Sequence, residues 1–128
     1  MLEALELKEK INILLDQRRY NDALQELDLL TDSFVENKND DLYLLAEIAG
    51  SYITLGSEAY NLSAVNKGLS IFQDNREILS TAITEDSIDY CLANGFHAIY
   101  KITIQEKDNF FQIQKASKIP FLMLSSLI

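Results

Sequence analysis

His97 is the only histidine in the chain. With Asn94 three residues before it and Tyr100 three after, it has the polar neighbours that could make it a general base. A base needs a nucleophile or an activated water. The nearest thiol, Cys91, lies inside an apolar helical pattern and reads as a core thiol, because free cysteine is among the most buried residue types. A single histidine and a single cysteine assemble neither a zinc site with histidine spacing nor a Cys/His cluster. His97 therefore reads as a groove-facing or partly buried imidazole.

The acid pairs Asp40–Asp41 and Glu85–Asp86 sit at helix starts, where capping and the helix dipole account for them without acid–base work. The four glycines show neither a phosphate-loop nor a dinucleotide-binding spacing. The expectation is a chain with no catalytic residues, no cofactor and no metal.

The elements that position these residues follow from composition and periodicity. A chain of 128 residues, 48% apolar, with one Pro and four Gly, is too hydrophobic for disorder and too poor in turn formers for a many-stranded sheet. An all-α single domain over 1–128 is expected. The net charge of −9 is concentrated early: residues 1–47 hold twelve acids against five bases. Such a surface repels a phosphate backbone, so nucleic acid is not an expected partner. An acidic N-terminus, one cysteine and no apolar run of transmembrane length point to a cytoplasmic protein without a membrane span.

Leu2, Leu5, Ile11, Leu14 and Leu15 fall on one face of a first helix that ends near Asp16–Arg19. Tyr20, Ala23, Leu24, Leu27, Leu30 and Phe34 recur at three- and four-residue steps in a second. Asp40 or Asp41 caps a third helix, which Gly56 should stop near Leu55. Ser57 is the expected cap of a fourth helix carrying Tyr60, Leu62, Ala64, Val65, Leu69, Ile71 and Phe72 and ending at Asp74–Asn75. A short extra helix falls between Arg76 and Ile83. Thr84 caps a fifth helix, from about Glu85 to Lys101, that buries Ile88, Leu92, Phe96 and Ile99. The β-branched run Ile102–Thr103–Ile104 suggests its end. A last helix, with Phe110, Phe111, Ile113 and Ala116, should start near Asp108 and stop at Pro120. Residues 121–128 are apolar in six positions of eight. Such a tail calls for a cover: an exposed helical face, a partner, or further chain.

These hairpins resemble tetratricopeptide repeats, whose first helix carries Leu, a small residue and an aromatic at fixed offsets. Leu92, Ala93 and Phe96 match, as do Ile48, Ala49, Tyr52 and Gly56; Tyr20 and Ala23 fit the second helix of the first unit. Leu14 to Tyr52 and Tyr52 to Phe96 are 38 and 44 residues apart, longer than the family's 34. The resemblance implies a short right-handed solenoid of about three antiparallel hairpins, over 1–37, 40–74 and 84–120.

The family's function implies protein recognition in a concave groove made by the first helices. Here that groove would be lined by Lys8, Asn12 and Leu15, then Ala46, Gly50 and Ile53, then Tyr90, Asn94 and His97. Lys8 and Asn12 match residues with which some relatives clamp a C-terminal carboxylate. Gly50 stands where a second Asn would be, and Glu85 and Asp86 stand where bases would be. A protein or peptide partner is expected. Two alternatives are a small acidic chaperone for an aggregation-prone or secreted partner, and the regulatory region of a larger HEPN-type bacterial protein, which the Asn94-Gly95-Phe96-His97 segment resembles. The HEPN catalytic Arg is missing, the nearest before His97 being Arg76. An uncapped end face could also be covered by a homodimer.

Overall fold

Apolar residues at helical spacing, broken by polar turns, give six helices among the described residues. They are α1 (Leu2–Asp16), α2 (Tyr20–Glu36), α3 (Leu42–Glu58), α4 (Leu62–Asp74), α5 (Arg76–Leu79) and α6 (Glu85–Ser117). The structure is a computed structural model that describes the backbone of residues 2–117 and the side chains of residues 3–110. The chain is all-α, and none of the described helices is long and apolar enough to cross a membrane. The expected Phe111, Ile113 and Ala116 contacts, Pro120 and the 121–128 tail lie outside the described side chains or residues.

The first three helices end alike. Arg18, Lys38 and Tyr60 take positive φ values of 56°, 50° and 52°, and the next amide reaches back to close a Schellman turn. The Arg19 amide donates to the Leu14 carbonyl at 2.9 Å, Asn39 to Phe34 at 3.0 Å and Asn61 to Gly56 at 2.8 Å. Glycine is the usual residue at this left-handed position, and here none is used.

That corrects the expected end of the third helix. α3 runs through Gly56 to Glu58, and Gly56 serves close packing instead: a Cβ there would sit 2.7 Å from the Val65 amide nitrogen of α4. Asn61, not Ser57, caps α4, its Oδ1 accepting from the Ala64 amide at 3.1 Å. Tyr60 consequently lies in the turn and is exposed. Asp41 and Thr84 cap as their types predict, accepting from the Leu44 and Ser87 amides.

α3 is the central element, packing against α1, α2, α4, α5 and α6. One core cluster gathers Ile11, Leu14, Ala23, Leu27, Leu44, Ile48, Tyr52 and Leu55 between α1, α2 and α3. A second gathers Ile53, Val65, Leu69, Phe72, Leu79, Ile88, Ala98 and Ile102 between α3, α4, α5 and α6. Leu5, expected on the same face of the first helix as Ile11 and Leu14, is exposed. α1 and α2 are joined at the surface by Lys10 and Glu26 at 3.2 Å, and α5 and α6 by Arg76 and Asp89 at 2.8 Å.

The fifth and last helices expected from the sequence are one element. α6 continues through Ile102–Thr103–Ile104, because β-branched residues lower helix propensity only by a few tenths of a kcal/mol each and Ile102 is buried in the second cluster. Lys101 fixes α6 to the end of α3, donating to Ser57 Oγ at 2.8 Å and lying 4.9 Å from the Tyr60 ring centroid. With no return helix among the described residues, Phe96 has nothing to pack on and is exposed, as is Ala93. Gly95 and Ala98 hold the close contacts instead, and a Cβ on Gly95 would collide with the Leu69 side chain of α4.

Candidate functional site

α1 and α6 both lie against α3, leaving a groove with α3 as its floor. On α1, Lys8, Asn12 and Leu15 are spaced four and three residues apart and so share a face. On α3, Gly50 and Ile53 repeat that spacing, and on α6 Tyr90 and Asn94 do. All seven line one cavity of about 260 Å³, together with Ile11, Glu47, Ser51, Thr54 and Cys91. Ala46 lines an adjoining cavity of about 280 Å³ that shares Lys8, Glu47, Gly50 and Cys91 with the first. His97 is exposed and lines neither.

Ile11, Glu47, Ser51, Thr54 and Cys91 line the groove without having been expected there, and of these Glu47 and Cys91 carry groups that titrate. Burial raises the Glu47 carboxyl above its usual range, with the Lys8 charge opposing the shift. The Cys91 thiol is also raised, first by burial and then by the Glu47 charge. Only a thiolate attacks, so this environment disfavours nucleophilic chemistry. Cys91 is half-buried, packed against the second core cluster at the edge of the groove. One signal for Glu47 was available: it is the single charge in the otherwise uncharged run from Leu42 to Ser57 of α3.

At Gly50 a Cβ would meet nothing within 4 Å. The floor of the groove is therefore open at its centre, with amide side chains on both walls and an aromatic at the rim.

A wider cleft of about 950 Å³ is lined by residues of α2, α3 and α4, among them Asp28, Thr31, Tyr52 and Lys67. These four side chains are engaged with one another. The Tyr52 hydroxyl lies 3.2 Å from Thr31 Oγ1, and Lys67 Nζ reaches the Asp28 carboxylate at 3.3 Å. Burial, then the bond to Asp28, pushes the Tyr52 hydroxyl up to about 12, which keeps it a donor. Among the described residues, no group of three or more His, Cys, Asp and Glu side chains is gathered for a metal ion. Comparisons with protein-family models, curated proteins and solved structures return no match to this chain.

Proposed function

We propose that this chain is a non-enzymatic protein-interaction module whose α1/α3/α6 groove holds a peptide or helix from a protein partner. In this reading α1–α2 and α3–α4 are two hairpins of a short right-handed, tetratricopeptide-like solenoid, and α6 opens a third unit. The observation that supports it is the convergence of Lys8, Asn12 and Leu15 with Gly50 and Ile53 and with Tyr90 and Asn94, from three helices far apart in sequence, on one open cavity.

The lining suits a main chain with mixed side chains. Asn12 and Asn94 each offer a donor and an acceptor to a peptide backbone. Leu15 and Ile53 supply apolar floor, and Tyr90 is the kind of exposed aromatic that anchors interfaces. Lys8 alone would favour a carboxylate. Glu47 beside it offsets that preference, so an acidic C-terminus is not the favoured ligand.

Gly50 gives the test. Gly50→Leu fills the groove where the fold leaves space, so the variant should remain folded and lose its partner. A pull-down read by mass spectrometry compares wild type with Gly50→Leu, Asn94→Ala and His97→Ala. A partner lost in the first, weakened in the second and retained in the third supports groove binding. Equal retention by all four chains overturns it.

A further inference from the structure

One face of α6 packs against no other element among the described residues and lies away from the groove. At about 100° per residue, Ala93, Phe96, Tyr100 and Ile104 fall opposite the face that Ile88, Gly95, Ala98 and Ile102 bury. Phe96 is 52%, Tyr100 66% and Ile104 41% exposed. Asp86 and Lys107 bound this stripe at its two ends; both are exposed, and neither makes an ion pair among the described residues. Positions 86, 89, 93, 96, 100, 103 and 107 alternate three- and four-residue steps, the seam spacing of paired helices.

The stripe is also complementary to itself when reversed. Turning it about a point between residues 96 and 97 brings Asp86 opposite Lys107, Ala93 opposite Tyr100 and Asp89 opposite Ile104. Acid then meets base, and small meets large, twice over. Asp89 brings no uncompensated charge to the seam, since Arg76 holds it at 2.8 Å. An isologous interface requires self-complementarity of this kind; a foreign partner does not.

We infer that α6 pairs antiparallel with α6 of a second copy of this chain, with Phe96 and His97 flanking the two-fold axis and an Asp86–Lys107 pair at each end. Burial of Phe96, Tyr100 and Ile104 supplies the affinity. The end charges set the orientation, since exposed ion pairs contribute little attraction of their own. The groove lies on another side of α6, so this interface and partner binding stand or fall separately.

Sedimentation equilibrium on the full chain, from about 1 µM to about 100 µM, reads the association. Wild type should dimerise, and Phe96→Glu should be monomeric with unchanged helicity by circular dichroism. Asp86→Lys and Lys107→Asp should each weaken the homodimer about ten-fold, since each places like charges together at both ends. Mixing those two single variants should restore association, because in the mixed pair every end contact is again between opposite charges. A monomeric wild type overturns the proposal, whether its own 118–128 segment or another protein covers the stripe. A dimer indifferent to Phe96→Glu, or single variants that mixing does not rescue, also overturns it. If Phe96→Glu unfolds, the two exposed charge variants and their mixture still decide.

Discussion

The Tyr52 hydroxyl donates to Asp28 Oδ1 at 2.5 Å, tying the centre of α3 to α2. Lys67 of α4 approaches the same oxygen and lies 5.5 Å from the Tyr52 ring centroid. Three helices thus meet at one carboxylate. Tyr52→Phe keeps the buried ring and removes a hydrogen bond to a charged acceptor, so it should cost about 1–2 kcal/mol. Urea unfolding measures it, and a loss below a few tenths would show that Lys67 and water satisfy Asp28 alone.

Two glycines of neighbouring helices should respond oppositely to the same methyl group. A Cβ on Gly68 would lie 2.5 Å from the Ala49 carbonyl oxygen and 3.1 Å from the Ile53 amide nitrogen, backbone atoms that cannot swing aside. Gly68→Ala should separate α3 from α4 and destabilise by about 1–3 kcal/mol. Gly50→Ala meets no atom and gains helix propensity, so it should stabilise by about 0.5–1 kcal/mol. Thermal melts of the two variants check both signs.

Glu47 makes stability depend on pH in an unusual direction for a carboxylate. Its folded-state value lies above the ordinary 4.5, so the folded chain holds the proton more tightly than the unfolded chain does. Its contribution is most favourable below about pH 4.5 and is lost as pH rises through the raised value. Glu47→Gln should therefore stabilise the protein near pH 7 and have little effect near pH 4. Unfolding midpoints at the two pH values, for both chains, test the sign.

Lys38 holds the left-handed position after α2 without the freedom of glycine. Lys38→Gly should relieve that conformation and stabilise by about 0.5–1 kcal/mol, net of the entropy glycine loses on folding. Equilibrium unfolding reads the change. A destabilised variant would mean that the lysine stem does more than close the turn.

What could be read from the sequence was what neighbours decide. Asp41 and Thr84 cap by reaching an amide three residues on, and Asp74–Asn75 ends α4 where the apolar period stops. The shared face of Lys8, Asn12 and Leu15 and that of Tyr90 and Asn94 were legible because three- and four-residue steps fix a face before any tertiary contact forms. The Schellman turns at Arg18, Lys38 and Tyr60 were not, since their usual marker is a glycine and none is present. Gly56 misled because a helix crossing and a helix stop both call for the same residue. The phase of α6 was misplaced because Phe96 looked like core: only the packing of Gly95 on Leu69 settles which side faces inward, and that depends on α4. His97 fell outside the groove for the same reason.

α6 divides at Ile102 into two thermodynamic regimes. Before it, amides lie over the second core cluster, and opening them requires α6 to leave α3 and α4. From Thr103 to Asn109 every residue is exposed, and among the described residues of one chain each amide is held only by its own helix. Native-state hydrogen exchange would see this as a gradient within one continuous element. Protection near the global unfolding free energy at Ala98 would give way to fast, locally governed exchange a few turns later.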